Sequence, residues 1–214
     1  MLKKHKGLMI LTSIIILLPM LAGVLLWDQL PEQVATHWGF RGEADGWSSR
    51  PMAVFGMPLV LLAIHWVGLW FTEQDRRNHG ANAKMKMLML WLLPAVSLFG
   101  SGSIYASAMG QKMQVDRLAF LFMGLLFTIL GNYLPKCRQN YTIGIKIVWT
   151  LSSEENWNAT HRLAGKLWMV GGLLMLLCGF LPVAWTVWML PLILGIMVVI
   201  PMVYSWWFAR NQKG

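Results

Sequence analysis

The chain has 214 residues, of which 57% are hydrophobic and 13% charged. Soluble domains carry about 25% charged residues and disordered chains are poor in hydrophobic ones, so neither class fits, and two cysteines are too few for a disulfide scaffold. The net charge of +9 would point to nucleic acid in a soluble protein; in a chain this apolar it is read instead as a topology signal, because basic residues flanking membrane spans set orientation.

A span needs about 20 mostly apolar residues. Six segments supply them or nearly so: residues 8–27, 52–71, 87–109, 118–133, 163–181 and 186–208. The fourth is short. The last two are parted only by Pro182-Val183-Ala184-Trp185, which predicts a tight hairpin. The expected fold is all-α: a polytopic membrane protein with six transmembrane helices. The first segment has a basic start, but its apolar run exceeds the roughly 7–15 residues of a signal peptide and no small-residue cleavage site follows, so it is read as a retained helix. Two regions are expected. Residues 1–110 hold spans one to three with an external loop at 28–51. Residues 111–214 hold spans four to six with an internal loop at 134–162.

Orientation follows from alternate loops. Lys3, Lys4, Lys6, Arg76, Arg77, Lys84, Lys86, Lys136, Arg138, Lys146, Arg162, Lys166, Arg210 and Lys213 fall on one side, and Arg41, Arg50, Lys112 and Arg117 on the other. The positive-inside rule therefore places both termini in the cytoplasm of a multi-pass cell-membrane protein.

In the external loop, Leu30-Pro31 ends the first helix, since proline and the residue before it resist helical geometry. Val34, Thr36 and Trp38 alternate with polar positions and predict a short extended piece, while Gly39, Gly42 and Gly46 supply turns. His37, Asp45 and Arg50 lie among Trp27, Trp38 and Trp47. This constellation is either a ligand-recognition surface or a cap ordered by pairing Asp45 with Arg50 or His37. Zinc wants three or four ligands and the loop offers one histidine with scattered carboxylates, so no metal or cofactor is expected.

In the internal loop, Ser152 or Ser153 followed by Glu154-Glu155 predicts a helix start, with carboxylates against the helix dipole. That helix runs through Trp157 and His161, which share a face at i,i+4, and through Arg162 toward the fifth span. Either the loop is a signalling surface, or it folds back on the headgroups, anchored by Trp149 and Trp157, with Lys136, Arg138 and Lys146 meeting anionic lipid. Within the spans, His65 is either a functional group or an interhelical hydrogen-bond partner. The small residues Gly102, Ala106 and Gly110 predict close helix packing in the third span. Cys137 and Cys178 are expected to stay reduced.

Both loops resemble the SdpI family of bacterial membrane proteins. Leu30-Pro31, His37-Trp38-Gly39, Gly42, Asp45-Gly46-Trp47 and Arg50 match the uncharacterised domain that opens many members. Gly131, Asn132, Lys136, Asn140, Gly144, Ile145, Lys146, Trp149, Thr150, Leu151, Trp157, His161 and Arg162 match the second signature. One departure is Lys146-Ile147-Val148, where members often carry Arg-Thr-Pro; lysine keeps the charge without the bidentate geometry. The resemblance implies immunity to a secreted antimicrobial peptide, and signalling by recruiting a repressor, of winged-helix type, to the membrane. It implies no enzyme activity and no direct contact with nucleic acid. The external ligand candidates are then His37, Trp38, Asp45, Trp47 and Arg50. The internal signalling candidates are Asn132, Lys136, Asn140, Lys146, Trp149, Trp157, His161 and Arg162. Membrane lipids are the remaining partner. A membrane enzyme acting on lipid or envelope intermediates and a small transporter are the alternatives that the residues leave open.

Overall fold

The computed structural model describes residues 6–39, 41–75, 83–111 and 114–211. Helix α1 (Lys6–Leu25) leads through a short 3-10 turn to strands β1 (Gln33–Trp38) and β2 (Ala44–Ser49). A π-helical turn at Met52–Gly56 opens α2 (Met57–Gln74), followed by α3 (Ala83–Ala108) and α4 (Val115–Tyr133). The short α5 (Val148–Ser152), α6 (Glu154–Cys178) and α7 (Val183–Asn211) complete the chain. Of the basic residues used to assign orientation, Lys3, Lys4, Arg76, Arg77, Lys112 and Lys213 lie outside the described residues, as does the side chain of Lys84.

Among the described residues, five helical stretches are long and apolar enough to cross a bilayer: Lys6–Leu25, Met52–Gln74, Met85–Ala108, Val115–Lys136 and Val183–Asn211. The protein is a multi-pass membrane protein. The remaining expected segment, 163–181, is not a helix of its own. It forms the second half of α6, whose first half carries Glu154, Glu155, Arg162 and Lys166. The uncharged run from residue 167 to the helix end at Cys178 is 12 residues, short of the roughly 20 that a span needs. The all-α expectation also needs one addition, because residues 28–51 hold a β-hairpin.

Two compact units are formed, residues 1–73 with 87–116 and residues 74–86 with 117–214. In the first, Leu30, Val34, Ala53, Val54, Ile104 and Tyr105 make a buried cluster that seats the hairpin on the ends of the helices. Burying a leucine or valine fully contributes roughly 1.5–3 kcal/mol, so Leu30 and Val34 suffice to anchor so small an element. On α3, Ser97 Oγ donates to Ile16 O at 2.8 Å and Tyr105 Oη to Pro19 O at 3.0 Å. These polar groups, rather than the glycines, hold α3 to α1. A Cβ added at Gly100, Gly102 or Gly110 would meet nothing within 4 Å, which corrects the expected packing centre.

Close helix approach occurs instead in the second unit. A Cβ at Gly124 would lie 2.8 Å from Gly172 O, and one at Gly131 would lie 2.8 Å from Gly165 O. The glycines are spaced seven residues apart on both α4 and α6, two turns of helix, so each pair removes a Cβ from the same antiparallel seam. Across α6 and α7, Trp168 Nε1 donates to Met197 O at 3.0 Å. Asn156 Nδ2 donates to Ser205 O at 2.8 Å, and Ser205 Oγ donates back to Asn156 Oδ1 at 2.6 Å.

Candidate functional site

In the first unit, β1 and β2 pair antiparallel with Ala35 opposite Trp47 and His37 opposite Gly46. Gly42, at φ +80°, makes the turn, and Gly42 N donates to Gly39 O at 3.0 Å. Gly46 has a different task from the one expected. It lies within β2, where a Cβ would stand 2.9 Å from the Cβ of His37, so its bareness admits the imidazole. His37 Nδ1 then meets Asp45 Oδ1 at 2.5 Å, with both side chains open to water at 73% and 45% exposure. Asp45 and Trp47 are i,i+2 on one strand and therefore share a face; Trp47 is 58% exposed. His37, Asp45 and Trp47 thus form an outward face, while Trp38 is half-buried against the core.

Arg50 is not part of that face. Its Nη1 donates to Trp27 O at 3.1 Å, its Nε to Pro31 O at 3.3 Å, and its guanidinium lies 5.2 Å from the centroid of the Trp27 ring. Of the two pairings considered for Asp45, the structure makes the one with His37. Arg50 clamps the helix-to-strand corner. His65 is buried and its Nε2 meets Thr12 Oγ1 of α1 at 3.1 Å, an interhelical hydrogen bond.

In the second unit the signature residues sort by burial. Asn140 is a buried hub that satisfies its own loop. Its Oδ1 accepts from Thr142 N at 2.9 Å and Ile143 N at 2.6 Å, and its Nδ2 donates to Arg138 O at 2.7 Å and Ile143 O at 3.0 Å. Thr150 Oγ1 donates to Ile145 O at 2.7 Å and accepts from Ile147 N at 3.1 Å, tying the loop to α5. Ser153 caps α6 by accepting from Asn156 N, as the serine-glutamate run predicts.

Trp157 and His161 stand on the following turns of α6 and stack at 4.0 Å between ring centroids. Trp157 Nε1 donates to Cys137 O at 2.7 Å. His161 Nδ1 meets Trp157 O at 2.8 Å and His161 Nε2 meets Ile145 N at 3.0 Å. A carbonyl only accepts and an amide N–H only donates, so the ring is neutral and carries its proton on Nδ1. Burial drives its pKa down to about 4, against a smaller upward pull from the Trp157 carbonyl. Burial likewise pushes the Cys137 thiol up, opposed by its hydrogen bond with Asn140.

Four signature side chains remain exposed: Asn132, Lys136, Lys146 and Arg162. Lys136 Nζ donates to Asn132 Oδ1 at 3.4 Å and lies 4.9 Å from the Tyr133 ring centroid. Lys146 Nζ donates to Thr142 O at 3.1 Å. Trp149 is half-buried. The site residues missed by sequence reading are Asp75 and Gln139. Asp75 Oδ2 accepts from Tyr141 N at 2.7 Å, and Gln139 Nε2 donates to Thr150 O at 2.7 Å. The signal for Asp75 was available, since an acid beside the basic residues 76–86 is out of place there.

Residues 136–205 match the model of the SdpI/YfhL protein family. Over that stretch the chain is similar to the family. The match begins at Lys136 and closes at Ser205, the residue that exchanges hydrogen bonds with Asn156. The family region thus takes in the polar loop and the two helices that support it. Residues 14–62 match a second model, a domain of unknown function (DUF1648), which encloses the hairpin and its supporting helix ends. The Immunity protein SdpI of Bacillus subtilis (strain 168) is 23% identical over 209 residues, covering 96% of this chain and 97% of the relative. No solved structure matches the chain.

Proposed function

We propose that the chain is a membrane immunity protein that protects its cell from a secreted antimicrobial peptide by binding it, without catalysing a reaction. The observation that carries this reading is the similarity to Immunity protein SdpI along almost the full length of both chains. In this reading the chain crosses the membrane six times, residues 163–181 crossing as the later part of α6 and the turn after it once Lys166 snorkels to the interface, and both termini are cytoplasmic. The basic residues collected on one set of loops support that orientation.

The peptide is captured on the outward face of the hairpin. Trp47 and the His37–Asp45 pair combine an exposed indole with a polar pair, which suits an amphipathic peptide at the membrane surface. On the cytoplasmic side, Asn132, Lys136, Lys146 and Arg162 offer exposed polar groups on a loop held rigid by Asn140, Trp157 and His161. That surface recruits a winged-helix repressor when peptide is bound. Such coupling requires the peptide to bind one arrangement of the helices better than another.

The test is expression in a sensitive host challenged with the peptide of the producing strain. Survival is expected with the wild type and is expected to drop with Trp47→Ala and with His37→Ala/Asp45→Ala. Unchanged killing of the wild-type host would sink the immunity reading. Full protection by both variants would remove the hairpin from it. A reporter fused after Gly214 and active only outside the cell would overturn the orientation.

A further inference from the structure

A cavity of about 380 Å3 opens in the second unit where the polar loop meets the helices. Leu130 and Leu134 line it from the end of α4, Ile145 and Ile147 from the loop, and Met197 and Val198 from α7. The wall is apolar throughout. At about 30 Å3 per water-sized unit, close to a methylene, the space holds about a dozen such units. Water gains nothing there, since it needs two to four polar partners.

The rim has the opposite character. Lys146 is exposed between Ile145 and Ile147, which both line the cavity. Its ammonium donates to Thr142 O, one residue before the lining residue Ile143. Asp75 is buried and its Oδ2 accepts from Tyr141 N and Thr142 Oγ1. Beside the rim, Val148 is 77% exposed at the start of α5. An isoleucine-valine edge that carries an exposed lysine is unsuited to water alone and suited to the zone between headgroups and acyl chains.

We propose that this cavity is a binding site for an anionic phospholipid, with one acyl chain between α4, α7 and the loop and the phosphate at Lys146. The charge of the rim selects the headgroup and the apolar wall selects the chain. A zwitterionic lipid of equal chain length gains the wall alone. A free fatty acid lacks the phosphate, and a peptide or a second copy of the chain lacks the slender apolar end that the cavity fits. This inference does not rest on the immunity reading.

The experiment is native mass spectrometry of the full chain released from detergent after incubation with equal amounts of chain-matched phosphatidylglycerol and phosphatidylcholine. Phosphatidylglycerol adducts are expected in excess, by about fivefold for each lysine that meets the headgroup. Lys146→Gln is expected to bring the two lipids to parity while keeping adducts. Val198→Trp, which fills the mouth from half-exposed α7, is expected to remove both lipids, and Ile147→Phe does the same from the loop side should the first variant not assemble. Equal retention of the two lipids by the wild type would overturn the proposal. So would retention unchanged by the filling variants, or a bound fatty acid, peptide or second chain in place of phospholipid.

Discussion

The indole of Trp157 lies over the imidazole of His161 at 4.0 Å between centroids and 20° between planes, and the backbone of Gly144 passes directly against both. One histidine thereby joins α6 to the loop through Ile145 N while its other nitrogen stays on its own helix. The loop's conformation depends on that ring staying neutral, because protonation would set an N–H against the Ile145 N–H.

This dependence has a definite sign. The His161 pKa is lowered from 6.5 to about 4 in the fold. Between those values the unfolded chain binds the proton and the folded chain does not, so acidification favours unfolding. The contribution is fully present above pH 6.5 and is lost as pH falls toward 4. It amounts to roughly 3 kcal/mol over that window. The melting temperature of the chain in detergent should be flat above pH 6.5 and fall below it. His161→Gln should be less stable at neutral pH and show a shallower acid slope. An equal slope in both proteins would assign the effect to other groups.

Gly144 sits at φ +115°, where a side chain is strained, and a Cβ there would stand 3.1 Å from the Trp157 ring. Gly144→Ala should therefore cost more than the roughly 1–2 kcal/mol of the left-handed backbone alone. Limited trypsinolysis reads the result, since Arg138 and Lys146 flank the affected turn. Cleavage there should accelerate in the variant and stay slow in the wild type.

Gly131 and Gly172 should respond to a methyl group in the opposite sense to Gly102. Gly131→Ala and Gly172→Ala place a Cβ within hydrogen-bonding distance of facing backbone and must push α4 from α6. A fall in melting temperature is expected for each. Gly102→Ala meets nothing and gains helix propensity of about 0.5–1 kcal/mol. Its melting temperature should hold or rise.

Arg50 and Trp47 separate holding from binding. Arg50→Ala removes two charge-assisted hydrogen bonds to the corner carbonyls and a cation-π contact. Each such bond contributes about 1.5–3 kcal/mol when buried and less at this half-exposed site. Faster hydrogen exchange across β1 and β2 is expected. Trp47→Ala removes an exposed ring and should leave that exchange unchanged.

Much of this was legible beforehand, for reasons that differ by residue. Five of the spans follow from apolar length, and the start of α6 from Ser153 ahead of Glu154 and Glu155, because caps and dipoles are local. The β-hairpin was half visible in the alternation at Val34, Thr36 and Trp38. His37 with Asp45, by contrast, needed the strand register that sets His37 against Gly46. The small-residue run of α3 misled, because spacing shows which helix faces permit approach and not which partner arrives. The seam lies instead where Gly124 faces Gly172 and Gly131 faces Gly165, pairs that are 48 and 34 residues apart in sequence.

The sequence by itself determined that the chain lives in a membrane: too few charges to cover a soluble surface, and long apolar runs. These are sums over residues and need no partner. Tertiary structure decided which signature residues face inward. Asn140, Trp157 and His161 are polar or aromatic, and so read as binding groups, yet each is consumed by backbone atoms of its own loop. Buried polar groups must find partners wherever the chain closes on itself. The exposed residues left over, Asn132, Lys136, Lys146 and Arg162, could be separated from them only once the loop had folded.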